Sequence, residues 1–547
     1  MKKFGILVCF ILMNSILFSQ MNPKGGDADV STKLSEAGHA YNAGNMDEAL
    51  KLYTEANEMK PDDGSILFHI GQCYYSLQQL DEAMEYLQKA EAADSNANED
   101  LNLGLGMVYQ QENQLDKAIA EFHCHERKYK DDPKMLLQDY VNHLTAECVL
   151  AKEMEKHPVN VKIRNAGENI NSGYDDKSPS VTANGTVLIF TSTRPFSEMS
   201  GTESLDGGGG MQGFDNVYIC KWDSAKSDWG PSEPIDGDVN EPQAHTSCSS
   251  ISPDGNYLFL YKNNTHGSYL GGDIYTSKVS KKGKWAVPIS LGPPVNTSFY
   301  EDGACLSPDG NTLYFISERP GGYGRADIYK AHKISRTEWG RPENLGPVVN
   351  SSYDEGAPFM APDGHTLFFS SDGHTSMGGY DIFKTSMNDS NQWTTPVNLG
   401  YPINTVGNEK NFTISADART GYFSSDRKGG MGGRDIYIVD LSNYSVLAGD
   451  ANSSQPKGYS ILRGTVSNHK GEPMEGVRII ISDSTEAKVA TLSTSSEGFY
   501  FITLKGDAKY KVKVSEKEYR SSTKLINLPN STIGTYTLQQ DFILEKQ

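Results

Sequence analysis

Small and apolar residues between positions 35 and 134 fall into a pattern written three times. "AGHAYNAGNMDEALKLYTEANEMKPDD" is followed by "IGQCYYSLQQLDEAMEYLQKAEAADSN" and by "LGMVYQQENQLDKAIAEFHCHERKYKDDP". The alanines that follow Asp-Glu or Asp-Lys stand at Ala49, Ala83 and Ala118, spacings of 34 and 35 residues. Small residues Ala37, Gly71 and Gly106 lie twelve positions earlier, and Tyr53, Leu87 and Phe122 lie four positions later. This spacing predicts helix–turn–helix pairs. The small residues let the two helices of a pair approach, and the bulky ones fill the gap to the next pair. A last helix, from about Lys134 to Lys156, would cap the stack.

From about residue 160 the pattern changes to short strands and turns. "GGDIYTSKV", "RADIYKAHK", "GYDIFKTSM" and "GRDIYIVDL" place Asp273, Asp327, Asp381 and Asp435 at steps of 54 residues. A diverged copy, "FDNVYICKW", places Asp215 in the same role. Upstream of each lies a turn and a strand, as in "SPDGNTLYFIS", and Asp-Gly is a strong hairpin signal. Downstream come Trp229, Trp285, Trp339 or Trp393 and a closing phrase such as "LGPVVNSSYDEG". One unit therefore predicts four short strands, the fourth around the tryptophan. The segment "VKIRNAGENINSGYDD" (161–176) reads as a closing phrase ahead of the first unit, while the fifth unit ends at "DIYIVDLS". The early segment would supply the last unit's missing strand and remove the exposed sheet edges. The expectation is a five-bladed all-β propeller over 160–445.

A polar stretch, "VLAGDANSSQPKGY" (446–459), reads as a linker. Beyond it, "LRGTVSNHKGEPMEGVRIIISDS" and the strictly alternating "YKVKV" predict a small β-sandwich over 460–547. The first nineteen residues, with Lys2, Lys3 and an apolar run from Phe4 to Phe18, read as a secretory signal peptide. No later stretch is apolar over the ~18 residues that a membrane-spanning helix needs. The chain as a whole is α-solenoid at 31–157, then propeller, then sandwich.

Composition narrows the function. The 547-residue chain carries a net charge of −20, which argues against binding a nucleic-acid backbone. Gly (53) and Tyr (29) are abundant, as in turn-rich β structure. Cys73, Cys124, Cys148, Cys220, Cys248 and Cys305 form no C-x-x-C pair, so a thioredoxin-like or zinc-ribbon site is unsupported. His123 and His125 point apart on a helix and do not make a metal pair. "SERPGGYGRADIYK" (317–330) resembles a phosphate cradle in isolation, but a strand follows it rather than a helix N-terminus. A phosphate-binding G-x-x-x-x-G-K, a G-x-S-x-G elbow and H-E-x-x-H are all absent. No cofactor, no metal and no catalysis are expected.

Two repeated sets remain as binding candidates. Asp176, His245, Glu301, Glu355 and Glu409 open each unit's innermost strand, and fivefold geometry would gather them at one mouth of the channel. There they would form a negative ring for a basic peptide or a cation; otherwise they cap turns between units. Arg194, Arg319 and Arg427 occupy another equivalent position, filled by Asn263 and Gly373 in the other two units. Salt bridges from these arginines to neighbouring units, at acids such as Asp327, are the structural alternative.

The 34-residue repeat resembles the tetratricopeptide repeat. "SPDG" with "F-x-S-x-R-x-G-G-x-G-x-x-DIY" resembles the TolB-like repeats of bacterial envelope propellers. The last region resembles the carboxypeptidase regulatory-like domain. The order is similar to OmpA-family envelope proteins of Bacteroidetes-type bacteria, some tied to type IX secretion and gliding. The peptidoglycan-binding OmpA-like domain of that family is not read in this sequence, so peptidoglycan attachment is not expected. The resemblance implies a non-catalytic scaffold at the periplasm or outer-membrane periphery. Its partners would be envelope proteins or peptides, held in the helical groove and at the propeller mouth. A carbohydrate-active five-bladed enzyme, favoured by two or three non-repeated channel carboxylates, and a secreted small-ligand sensor are the rivals.

Overall fold

The computed structural model describes residues 27–129, 135–195, 213–242, 244–263, 271–280, 282–335, 338–388, 390–447, 458–529 and 535–547. The expected signal peptide, and most of the expected linker, lie outside them.

Among the described residues seven helices come first: α1 (Asp27–Asn42), α2 (Met46–Met59), α3 (Gly64–Ser76), α4 (Leu80–Ala93), α5 (Leu101–Gln111), α6 (Leu115–Tyr129) and α7 (Met135–Lys156). Asn45 caps α2 and Asp63 caps α3, each accepting backbone N–H groups of the first turn. The helices pack as α1–α2, α3–α4 and α5–α6 pairs, with α7 against α6. The small-residue positions act within a pair. A Cβ on Gly71 would stand 2.8 Å from Leu87 Cγ, and one on Gly106 would stand 2.4 Å from Phe122 Cε1. Leu87 and Phe122 thus fill the seam between partners of one pair, and they also pack on the next helices, Leu87 beside Leu101 and Leu105 and Phe122 beside Val141 and Leu144.

Five antiparallel sheets follow. Their first strands are Asp176–Val181, Thr246–Ile251, Glu301–Leu306, Glu355–Met360 and Glu409–Ile414. Each pairs with a second strand, and that pairs with a third, beginning at Asn216, Asp273, Asp327, Asp381 and Asp435. First strands contact first strands in a closed cycle, the fifth returning to the first. Lys162–Asn165, which precedes the first sheet in sequence, is the fourth strand of the fifth. In sheets two to four the fourth strand lies just past the tryptophan, as at Glu343–Asn344, while Trp285, Trp339 and Trp393 make only isolated bridges.

An asparagine in each closing phrase binds both backbone groups of one third-strand residue. Asn350 accepts from Ile328 N–H at 2.8 Å and donates to its carbonyl at 3.0 Å. Asn240 does the same to Val217, Asn296 to Ile274 and Asn404 to Ile382. Asn171, from the segment before the first sheet, binds Ile436 of the fifth at 2.9 Å in both directions. The cycle is therefore closed by the same clamp that links each third strand to its own closing phrase.

The glycine loop at 317–330 folds back on its own aspartate. Asp327 accepts from the N–H groups of Tyr323 and Gly324 at 2.7 and 3.0 Å, and from Asn344 Nδ2 at 3.1 Å. The donors that a phosphate would use are thus consumed internally. A Cβ on Gly324 would lie 1.7 Å from the Tyr353 carbonyl of the next sheet. Gly324→Ala is expected to lower stability by about 1–3 kcal/mol, the usual cost of overpacking, measured as a shift in the urea midpoint.

The last two sheets share one apolar core that includes Leu462, Ile479, Tyr500, Val512 and Leu528. One holds Tyr459–Asn468 between Phe499–Lys505 and two short C-terminal strands; the other runs Lys488–Ser493, Arg478–Ser482, Ala508–Ser515, Ser522–Leu528. This pair of sheets rests on the hairpin-turn end of the cycle. Thr503 Oγ1 donates to the Pro362 carbonyl at 2.7 Å, Tyr459 N–H to Ala416 O at 2.8 Å, and Thr535 Oγ1 to Ala183 O at 3.3 Å.

The helices dock on the opposite end. Met377, in the fourth sheet's glycine loop, is fully buried in one cluster with Leu103, Val141, Leu144 and Cys148 of α5 and α7. His143 stacks on Tyr353 at 4.6 Å and lies 3.1 Å from the Asp372 carbonyl. Lys428 of the fifth sheet pairs with Glu112 at 2.6 Å.

Candidate functional site

The strand-opening acids are buried, and each is held by its own sheet. Glu301 accepts from Thr297 N–H and Oγ1 at 2.7 Å and from Ser317 Oγ at 2.7 Å. Glu355 uses Ser351 and Ser371 in the same way, and Glu409 uses Thr405 and Ser425. Asp176 accepts from Ser172. All four side chains have no solvent exposure. They are turn caps, and the expected negative ring presented to solvent is not formed by them.

His245 does not belong to this set. The register pairs Asp176 with Ser192, Glu301 with Ser317, and Thr246 with Lys262, so Thr246 holds the equivalent place in the second sheet. His245 is 47% exposed and sits beside Asp215. Asp215 also shifts by one: Asn216, paired with Ser192, is the counterpart of Asp327. Burial opposes ionisation of Asp215, yet His245 and Lys177, 2.9 Å away, hold its carboxyl well below the usual carboxylate range.

The arginines pair within a sheet. Arg194 reaches Asp176 at 2.6 Å, Arg319 reaches Glu301 at 3.5 Å and Arg427 reaches Glu409 at 3.2 Å. Each also binds a closing-phrase carbonyl, as Arg319 Nη2 does to Val295 O at 2.6 Å. Asp327 is not their partner, because its oxygens are taken by its own loop. Two residues past the second strand stands Gly373 in the fourth sheet, as expected. In the second sheet that count reaches residue 264, outside the described residues, rather than Asn263.

The fourth sheet departs from this scheme. His374 Nε2 bonds Val349 O at 2.9 Å, the place an arginine takes elsewhere, but lies 3.7 Å from Glu355. With no arginine beside it, burial pushes the Glu355 carboxyl up to about 8, and burial pushes His374 down. The folded chain thus holds a proton on Glu355 that the unfolded chain releases near its ordinary value of about 4.3. That proton stabilises the fold fully at acid pH, and its contribution fades as pH rises toward about 8. Glu355→Gln is expected to flatten the decline in stability across that window, read from urea midpoints in a pH series.

The next register positions line the axis of the cycle. Residue two of each first strand is partly exposed, as is residue three in every sheet but the second, where Cys248 is buried, and residue one is buried throughout. The second positions are Lys177, Ser247, Asp302, Gly356 and Lys410, and no one residue type is kept around the cycle. Asp302 accepts from Tyr300 Oη at 2.9 Å and Ser249 Oγ at 3.2 Å. Lys410 Nζ stands 3.1 Å from the centre of the Tyr380 ring. Burial, and then the charge of Arg434, lower its ammonium to about 8. Around them the rim is tied between sheets: Arg434 to Asp175 at 2.7 Å, and Arg325 to Asp354. Burial raises Asp372, which accepts from Asp354 N–H at 2.9 Å.

Among the described residues no group of three or more His, Cys, Asp or Glu side chains is arranged to hold a metal. His125 is buried and lies 3.4 Å from Asp100. Among the described residues six cysteines are present, all free and five of them buried. Among the described residues no helix is long and apolar enough to cross a membrane.

No curated protein matches the chain. Among solved structures, a Yersinia enterocolitica type III secretion chaperone, SycD, in complex with a peptide of the translocator YopD is 17% identical. It covers 23% of this chain and 95% of its own, with a TM-score of 0.22. PcrH from Pseudomonas aeruginosa is 17% identical over 24% of this chain and 98% of its own, TM-score 0.21. A glycoside hydrolase is 12% identical over 57% of this chain and 98% of its own, TM-score 0.37. Residues 40–97 match the tetratricopeptide repeat family model, and residues 461–541 match the carboxypeptidase regulatory-like domain model.

Proposed function

We propose that this chain is a non-catalytic protein-interaction scaffold of the bacterial cell envelope, built on a five-bladed propeller. The observation that carries the reading is the docking of two other modules on that centre. Helices α5 and α7 bury Met377 at one end, and the C-terminal sheets rest on the hairpin turns at the other. Such a body offers several rigid surfaces at fixed spacing. The tetratricopeptide match supports partner binding, because stacked helix pairs present extended binding surfaces. Five equivalent asparagine clamps and the cyclic strand contacts support the propeller. Export to the periplasm or outer-membrane periphery, and association with type IX secretion or gliding machinery, rest on the resemblance of the repeats to envelope proteins.

A glycan-cleaving propeller requires two carboxylates flanking the scissile bond. The non-repeated axial position holds one, Asp302, and both its oxygens accept internal hydrogen bonds. Affinity purification of the full chain from crosslinked, fractionated cells is the test. Envelope proteins are expected to co-purify. Recovery without envelope proteins, with purified chain that cleaves glycans, would overturn the reading.

A further inference from the structure

The fourth sheet holds α7 through two apolar side chains, and the third sheet carries the same pair uncovered. Tyr353 stands two residues before Glu355 and stacks on His143. Met377 stands four residues before Asp381 and is buried in the helical cluster. The corresponding residues of the third sheet are Phe299, two before Glu301, and Tyr323, four before Asp327. They are 42% and 52% exposed.

Backbone hydrogen bonds set both pairs the same way. Tyr353 N–H donates to Ser351 Oγ at 3.0 Å, and Phe299 N–H to Thr297 Oγ1 at 3.1 Å. Met377 N–H donates to Asp381 at 2.6 Å, and Tyr323 N–H to Asp327 at 2.7 Å. Both glycine loops also press on the next closing segment. A Cβ on Gly324 would meet Tyr353 O at 1.7 Å, and one on Gly378 would meet Val406 O at 2.4 Å. The two apolar side chains of the third sheet are therefore held on a preformed mount that costs little ordering entropy on binding.

We propose that Phe299 and Tyr323 form a second helix-docking site, whose occupant is an amphipathic helix of a different protein. The occupied site next to it states the chemistry: α7 offers Val141 and Leu144 to the cluster and His143 to the aromatic ring. The chain's own α7 is already seated on the fourth sheet, and a second copy's α7 would be seated on its own ring. The new site is continuous with the existing interface, because Gly324 abuts the Tyr353 segment on which His143 stacks. This inference rests on the scaffold reading and names one of its surfaces.

The test places a benzoylphenylalanine photo-crosslinker at position 323 of the full chain in the cells that make it. Matched probes stand at Ile334, an exposed residue of the same sheet, and at Met59 of α2. Mass spectrometry then identifies the crosslinked peptide. The expected result is an adduct at 323 with a helical segment of another protein, reduced at least tenfold by Phe299→Asp. No adduct at 323, an adduct indifferent to Phe299→Asp, or an adduct with a second copy of this chain would overturn the proposal. Adducts at Met59 without any at 323 would sink this site and leave the scaffold reading standing. Silence at every position would sink both.

Discussion

Asn171→Ala is expected to destabilise the β region by about 1–3 kcal/mol, because it strips the partner from the buried Ile436 N–H, while the Ile436 carbonyl keeps the Ala166 N–H at 3.0 Å. Asn171 Oδ1 and Nδ2 bind the N–H and carbonyl of Ile436, both at 2.9 Å, across 265 residues of sequence. An orphaned N–H costs about 1–3 kcal/mol when water cannot reach it. The loss also falls where the cycle closes, so the first and fifth sheets should separate early. Trp229 reports on that seam, since it is buried in one cluster with Ile170, Tyr422 and Ile436. Its fluorescence change is expected at lower urea in Asn171→Ala than in the parent. Asn171→Asp should be at least as damaging, because a carboxylate would face the Ile436 carbonyl. Unchanged midpoints in both variants would show that the clamp does not close the cycle.

Met377→Asp is expected to release the helices from the ring. The side chain is fully buried among apolar residues of α5 and α7. An ionised carboxylate left unpaired there costs about 3–5 kcal/mol, more than the remaining contacts at this end are expected to supply. Those contacts include Lys428 with Glu112 at 2.6 Å, Gln111 with the Val406 carbonyl at 3.3 Å, His143 with the Asp372 carbonyl at 3.1 Å, and the His143–Tyr353 stack. The exposed ion pair among them is worth at most about 1 kcal/mol. Hydrogen exchange over residues 135–156 and 372–380 should rise together, while exchange over the C-terminal sheets stays as it was. Met377→Leu, which keeps the volume, should leave exchange unchanged.

The contrast between these two positions explains what the sequence could tell. Repetition writes geometry into register, so the steps of 34 and 54 residues located the helix pairs and the sheet units, and the early closing phrase located the strand that completes the fifth sheet. The asparagine clamp carried the same kind of signal. Asn296, Asn350 and Asn404 are 54 apart, and aligning the closing phrases would have found them. His245 was drawn into the acid set because the second unit has Thr246 and Lys262 where others have an acid and a serine, which left no chemical anchor for the register. Contacts between modules left no trace in the pattern. Leu103 and Met377 belong to one cluster though far apart in sequence, and no spacing rule connects them. The acids looked like a binding ring because fivefold repetition and negative charge are equally compatible with a mouth and with a turn cap. Burial decided between them: a carboxylate with Ser, Thr and Arg partners inside a sheet is structural, and the residues that face the axis are the ones that fail to repeat.

We propose that this body holds other proteins on surfaces fixed by the ring. Crosslinking mass spectrometry of the full chain in its own cells tests it most directly. The account predicts intra-chain links joining α7 to the 353–377 region and the C-terminal sheets to the hairpin turns, together with inter-protein links to envelope proteins on the uncovered rim. Intra-chain links alone, with no other protein attached at any surface, would contradict it.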